Sequence, residues 1–257
     1  MKIVFVGTGE AFDEHLPNTS VWIGANGEQG KKSLLLDCGF SAPFSFWRLA
    51  PDPLDLDLLW VSHFHGDHFF GTPALLLRFW EDGRTKPLTV LGQKGVLEKI
   101  FQAMDLAYPG FRQKMAFSVD FIEVSPKKNI SVLGLGFGFA ETEHSQTNLA
   151  VRVDDNAASV FYSGDGRPTN ASLALATGCD LVIHEAFKLE PDTPGHGTVR
   201  GALDFARKAG AKTLALVHVQ REVRRTRRDE ISRLVQEAQD VKAVLPEPGD
   251  ALEIGTS

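Results

Sequence analysis

The sequence predicts a mixed α/β or α+β fold. Short apolar, β-branched or aromatic runs recur along the chain, punctuated by Gly, Pro and Asp. Amphipathic helical patterns lie between some of them, most clearly late in the chain. A length of 257 residues with 43% apolar content is enough to bury one large core. The chain therefore reads as one domain over residues 1–257, or as two half-domains merged around that core.

The strand expectations follow in order. Lys2 to Val6 is an apolar run closed by Gly7, and Ser33 to Asp37, Leu58 to Ser62 and Leu88 to Leu91 repeat the form. Phe117 to Val124, Phe137 to Thr142, Ser159 to Ser163, Leu181 to His184 and Thr213 to His218 complete the set. In "GLGFGF", glycines 134, 136 and 138 alternate with Leu135, Phe137 and Phe139. A strand there carries its side chains on one face and leaves the other bare for close approach by another backbone. Thr198 to Ala209 places Val199, Ala202, Leu203, Ala206 and Ala209 on one helical face and is closed by Gly210. Asp229 to Ala238 repeats the pattern with Ile231, Leu234, Val235 and Ala238.

Composition excludes several classes. With 27 basic and 33 acidic residues the net charge is −6, so there is no overall attraction to nucleic acid or an anionic membrane. Cys38 and Cys179 are too few and too far apart for a disulfide framework or a cysteine-rich metal site, and read as core thiols. The apolar run Ile3 to Val6 is too short for a signal peptide, and no membrane-spanning apolar stretch follows. A cytoplasmic location is expected. "VGTGEAF" begins like a dinucleotide fingerprint, but Phe12 occupies its third glycine position and "DEHLPNTS" makes a poor helix start, so it reads as a glycine turn.

The chemistry is concentrated in "LWVSHFHGDH", which sets His63, His65, Asp67 and His68 directly after an apolar strand, in a chain with eight histidines. His144 follows "FGFAETE", Asp165 follows "SVFYSG" and His218 ends "TLALVH". All seven stand at or just beyond strand ends, so they converge if those strands share one sheet edge. Imidazole and carboxylate without thiolate suit zinc, manganese or iron, and an open pair of such ions can hold a bridging hydroxide.

The H-x-H-x-D-H motif resembles the signature of the metallo-β-lactamase superfamily. The likeness covers nearly the whole chain and is strongest to the ribonuclease Z group, through "VGTGEAF…NTS", "LLLDCG", "SGDGRP", "HEAF", "GHGT" and "LVHV". The resemblance implies a four-layer αββα sandwich. It further implies that His63, His65 and His144 hold one metal, that Asp67, His68 and His218 hold a second, and that Asp165 bridges them. Glu185 in "HEAF" and His196 in "GHGT" match a glutamate and histidine that pair near the scissile phosphate in ribonuclease Z-like enzymes. A carboxylate can orient the imidazole to stabilise the transition state or to protonate the leaving oxygen. His184 either supports the site or fills the core.

The departures bear on substrate. Ribonuclease Z enzymes carry a long tRNA-gripping arm between the residues matched by His144 and Asp165; here only Ser145 to Gly164 intervene, enough for a hairpin. "DCGF" lacks the usual "DCGEGTQ" continuation, and the arginine expected four residues after the last histidine is replaced by Glu222, with Arg221 one place earlier. Arg221, Arg224, Arg225, Arg227 and Arg228 form the one concentrated basic run, read first as solvated surface and otherwise as a phosphate clamp. His15 reads as a surface histidine.

The expected function is therefore that of a dinuclear metal-dependent hydrolase, a phosphodiesterase using a metal-bridging hydroxide. Asp67 and Asp165 would orient the nucleophile, and His196, supported by Glu185, would assist the leaving group. The expected cofactors are two divalent transition-metal ions, zinc first and manganese or iron next. The expected partner is a small or accessible phosphodiester; nucleic acid is disfavoured, no membrane is expected, and a homodimer is compatible with the sequence. The alternatives are a lactone, thioester or aryl sulfate hydrolase on the same site, a tRNA 3′ processing endoribonuclease, and a non-catalytic RNA-binding or regulatory module.

Overall fold

The computed structural model describes residues 1–28, 30–190 and 193–255. The first half of the chain builds β1 (Lys2–Gly7), β2 (Ser20–Gly27), β3 (Gly30–Leu36), β4 (Leu58–Val61), β5 (Leu88–Gln93) and β6 (Val119–Val124). The second half builds β7 (Ile130–Val132), β8 (Leu135–Glu141), β9 (Leu149–Asp154), β10 (Ser159–Tyr162), β11 (Leu181–Glu185), β12 (Thr213–Val217) and β13 (Lys242–Val244). Finally β14 (Ala251–Glu253) returns to pair antiparallel with β1. The result is two seven-stranded sheets, ordered β14-β1-β2-β3-β4-β5-β6 and β13-β12-β11-β10-β9-β8-β7.

Period-two packing explains why these strands read as unbroken apolar runs. Ile3, Phe5, Leu34, Leu36, Leu58 and Trp60 turn inward against Phe137, Val160, Tyr162, Ile183 and Val217 of the other sheet. Their neighbours Val4, Val6, Leu35, Leu59 and Val61 turn outward under a helical layer, and Val182, Leu214 and Leu216 do the same on the second sheet. Both faces are thus covered, as for the parallel strands β3 to β6 and β10 to β13. Trp60 stacks on Phe139 across the two sheets at 5.2 Å between ring centroids. Truncating a side chain of that size in a closed core costs about 3–5 kcal/mol.

The outer layers are α1 (Ala42–Leu49), α2 (Gly66–Phe69), α3 (Thr72–Glu81) and α4 (Val96–Ala107) on one side and α5 (Asn170–Ala176), α6 (Val199–Ala209), α7 (Arg221–Thr226) and α8 (Arg228–Gln236) on the other. The four-layer αββα sandwich is the expected one. The α6 helix begins where the sequence indicated, with the Thr198 hydroxyl accepting from Gly201 N at 3.0 Å, and ends at Gly210 with φ 64. The expected strand over Phe117 to Val124 starts two residues later, and "GLGFGF" needs a correction. Gly134 lies in the turn before β8, where a side chain would collide with the Glu28 backbone as expected, but the bare face at Gly138 is covered by the Leu175 side chain of α5 and by Asn129 and not by a strand backbone. Leu135, Phe137 and Phe139 do share the inter-sheet core.

The loops that matter leave one end of the sandwich. Residue 37 follows β3, residues 62–68 follow β4, residues 163–166 follow β10 and residue 218 follows β12, all at C-terminal ends of strands. The segment between His144 and Asp165 is the antiparallel β9–β10 hairpin.

Candidate metal centre

The H-x-H-x-D-H segment uses two local conformations. His63 stands two residues beyond the end of β4, and His65, in extended conformation, is the N-cap of the single helical turn α2, which carries Asp67 and His68. Gly39 makes this fit possible, because a side chain there would collide with the carbonyl oxygen of Asp67. The Cys38 amide donates to the His68 carbonyl at 2.7 Å and locks the two loops together. On the second sheet, Gly164 at φ 58 turns the chain after β10, and Asn148 accepts from the Asp165 amide at 3.1 Å while donating to Ser163 O at 2.9 Å. His218, with φ 56, is pinned by its amide donating to Thr8 O at 2.9 Å.

All seven residues named from the sequence meet. His63, His65, His144 and Asp165 present donor atoms within 4.8 Å of one another, as do Asp67, His68, Asp165 and His218. Asp165 belongs to both groups. In the first, His63 Nε2 lies 3.0 Å and His144 Nε2 3.1 Å from His65 Nδ1, and both lie 3.9 Å from Asp165 Oδ2. In the second, His218 Nε2 lies 3.2 Å from Asp67 Oδ2 and 3.5 Å from Asp165 Oδ2, while His68 Nε2 lies 3.4 Å from Asp67 Oδ2. Two donors each about 2.0–2.1 Å from a tetrahedral ion stand about 3.3–3.4 Å apart, so the second group already has coordination-edge spacing.

Three of the histidines have their other ring nitrogen occupied from behind, whereas His218 Nδ1 is buried without a hydrogen-bond partner. His144 Nδ1 contacts the Gly195 carbonyl at 2.6 Å, His63 Nδ1 the Ser62 hydroxyl at 3.0 Å, and His68 Nδ1 the Asp37 carboxylate at 2.7 Å. Such partners fix the ring and aim the other nitrogen's lone pair at the centre. His68 Nε2 and Asp165 Oδ1, 3.3 Å apart, are buried with no hydrogen-bond partner. A buried polar pair in that state is costly, and a divalent cation between its donors would remove the cost. The oxygen and imidazole donor set can hold divalent metal in both groups.

Charge is distributed unequally. Burial pushes the Asp67 and Asp165 carboxyls up, but the surrounding imidazoles outweigh it and hold both well below the carboxylate range. Burial pulls His218 down, yet Asp165 and Asp67 raise it to about 9, and His68 is likewise held well above its ordinary value by Asp165, Asp67 and Asp37. Burial and neighbouring histidines push His63 and His65 below the ordinary range.

Glu185 and His196 complete the cavity. His196 Nδ1 is 3.2 Å from Glu185 Oε1. That same oxygen accepts from Gly166 N at 2.8 Å and Gly197 N at 2.9 Å, and Oε2 accepts from Phe187 N at 3.1 Å. The Phe187 ring stacks on His196 at 4.5 Å, and His196 lies parallel to His218 at 5.8 Å. The cavity of about 620 Å³ is floored by His65, Asp67, Asp165 and His218, with His196 at its side.

Other candidates fall elsewhere. His184 is buried behind the site, its Nδ1 2.7 Å from the Glu185 carbonyl and its ring packed on Phe161 and Phe205. His15 is exposed beside Glu14. Cys38 and Cys179 are free and buried, and burial pushes the Cys179 thiol up to about 11 and the Cys38 thiol higher still. Of the arginine run, only Arg221 lines the cavity. Arg224 is buried against Pro246 O and Glu247, Arg225 pairs with Glu222, Arg227 with Glu230 and Arg228 with Glu247.

Asp37 is the functional residue that sequence reasoning missed. Fully buried, it accepts from Ser62 N, Ser62 Oγ, Tyr162 OH and His68 Nδ1, each at 2.7 Å. Its signal was present: an acid directly after the apolar Leu34 to Leu36, in the same position after a strand as the seven donors.

Comparison with known proteins places this geometry. A family model described as anti-Pycsar protein Apyc1 matches residues 1–241. Ribonuclease BN of Escherichia coli is 28% identical over 273 aligned residues, spanning 85% of this chain and 89% of that protein. Among solved structures, human tRNase Z, short form, superposes with a TM-score of 0.79 at 20% identity over 99% of both chains. The metallo-β-lactamase fold protein YhfI from Bacillus subtilis gives 0.78 at 21% identity over 98% of this chain and 99% of that one. The sandwich is the metallo-β-lactamase fold, and the resemblance to the ribonuclease Z-like branch is borne out.

Proposed function

This chain belongs to the anti-Pycsar protein Apyc1 family, and from that starting point we propose that it is a dinuclear metal-dependent phosphodiesterase acting on a small or accessible ester. The observation that carries the proposal is the position of Asp165, shared by two four-donor groups beside the Glu185–His196 pair. His63, His65 and His144 would hold one ion, Asp67, His68 and His218 the other, with Asp165 between them. Bound there, divalent ions supply Lewis acidity toward a phosphoryl oxygen and acidify a water molecule. Zinc is the expected metal, with manganese or iron next.

The protein's own residues do the rest. Asp67 and Asp165 turn carboxylate oxygens to the cavity floor and orient the attacking water. Glu185, held by three backbone N–H donors, fixes the His196 ring through Nδ1 and leaves Nε2 to hand a proton to the departing ester oxygen. Phe187 stacked on that ring restricts its rotation and keeps water from one face.

Nucleic acid is the less favoured substrate. The short β9–β10 hairpin stands where a tRNA-gripping arm would be, and the chain carries net charge −6. Two free, buried thiols support a reducing, cytoplasmic setting, and no helix among the described residues is long and apolar enough to cross a membrane. The test is a panel of bis-aryl phosphate, cyclic nucleotide, lactone, thioester and aryl sulfate substrates with metal-loaded protein. Phosphodiesters should give the highest kcat/KM; faster turnover of a carboxyl or sulfate ester would overturn the assignment.

A further inference from the structure

Two phenyl rings at the mouth of the metal cavity have no role in the chemistry above. Phe12 is 75% exposed and Phe40 is 49% exposed, and both line the cavity floored by Asp67, Asp165 and His218. Neither is on a loose segment. The Phe12 amide donates to the buried Glu10 carboxylate at 2.9 Å, and the loop around it is tied by Gly9 N to Pro17 O and Thr19 N to Gly9 O, both at 2.9 Å. Phe40 directly follows Gly39, whose backbone closes on that of Asp67. Phe187, by contrast, is committed to His196.

Charge near Phe12 is also ordered. Glu10, 2% exposed, takes the Arg221 guanidinium at 2.6 Å, and that guanidinium lies 5.9 Å from the Phe12 ring centroid. The cavity therefore has a polar, metal-donor floor and a rim that carries aromatic faces together with Arg221 and Lys188. Exposed phenyl faces gain most from contact with another flat ring, and a cavity of about 620 Å³ leaves room for one.

We propose that Phe12 and Phe40 are specificity-determining residues that receive a flat aromatic or heteroaromatic group of the substrate while its phosphodiester lies on the cavity floor. The proposal rests on the phosphodiesterase reading for the floor and adds what the rim selects. Binding energy gathered by the ring, away from the reacting bond, serves to position that bond.

Two inert ligands with the same anionic head isolate the rim: phenylphosphonate and methylphosphonate, titrated by calorimetry into the metal-loaded protein. The wild type should bind the phenyl compound about tenfold more tightly. Phe12→Ala and Phe40→Ala should each lose about threefold of that preference, and the double variant nearly all of it, while Phe12→Tyr keeps it. Equal affinity in the wild type, or an undiminished preference in the double variant, overturns the proposal. So does a change in sedimentation on replacing Phe40, which would assign that ring to contact between two copies of the chain. Parallel assays with bis(4-nitrophenyl) phosphate and methyl 4-nitrophenyl phosphate separate the two claims. Hydrolysis of both esters with equal affinity for phenylphosphonate and methylphosphonate removes the subsite and keeps the phosphodiesterase; ring preference in binding with hydrolysis of neither ester does the reverse.

Discussion

The Asp37 carboxylate and the His68 imidazole, both fully buried, meet across 2.7 Å between Oδ2 and Nδ1. His68 is thereby held with Nε2 facing Asp67 and Asp165. Asp37 touches the His68 ring directly and reaches His63 one step removed, through the Ser62 hydroxyl that contacts both Asp37 and His63 Nδ1.

Asp37→Asn should therefore weaken one metal more than the other. The amide keeps the side chain's shape but no longer stabilises a proton on Nδ1, and changes of this kind cost about 10- to 100-fold in metal affinity. Competition against a calibrated chelator should show the ion of the Asp67, His68 and His218 group held that much more weakly, and the His63, His65 and His144 group, which Asp37 reaches through Ser62, weakened less. Equal weakening at both sites, or none, would contradict the role given to Asp37.

His196→Ala should separate metal binding from leaving-group chemistry. His196 stands outside both four-donor groups that share Asp165, so the metal content should stay near that of the wild type. Turnover of an alkyl phosphodiester should fall about 10²- to 10⁴-fold, the range for a lost general acid. A nitrophenolate leaves without a proton, so an activated aryl ester should be nearly spared, and Glu185→Gln should shift rates the same way more mildly. Equal losses on both substrates would make His196 a stabiliser of phosphoryl charge instead.

The metal-free protein should have a stability maximum near pH 6.5. His68 and His218 have folded values above the unfolded one, so their contribution is complete below about pH 6.5 and is lost as pH rises, that of His218 through about 9. His63 and His65 are depressed by burial and by neighbouring histidines, so the unfolded chain takes up more protons below about pH 6.5 and stability falls there too. Urea unfolding midpoints in excess chelator should trace both limbs. A midpoint that climbs steadily from pH 6.5 to 9 would show that the paired histidines are not protonated in the folded state.

The donors were legible in the sequence because they stand at or just beyond the ends of apolar strands. His63 to His68 form one local motif, and Asp165 and His218 repeat the position after β10 and β12. Asp37 was not legible as a positioning residue, because its partners Ser62, His68 and Tyr162 are distant in sequence and meet only when the two sheets close. The late helix α6 was readable from a clean apolar stripe between Thr198 and Gly210. The early helices were obscured for an opposite reason: α1 carries an exposed Phe44 beside a buried Phe46, and α3 an exposed Trp80 beside Phe79, so apolar residues occupy both faces. The β2 strand was hidden by Gly24 and Gly27, which interrupt its apolar run. The arginine run hid one cavity residue among neighbours that only pair with acids, and choosing Arg221 required knowing where Glu10 lies.

A titration of chelator-treated protein with divalent metal, followed by the rate on bis(4-nitrophenyl) phosphate, bears most directly on the dinuclear site. In the proposed centre Asp165 would serve both ions, so activity should stay low through the first equivalent, rise with the second and level off at about two per chain. Full activity at one equivalent, with no second ion taken up, would contradict it.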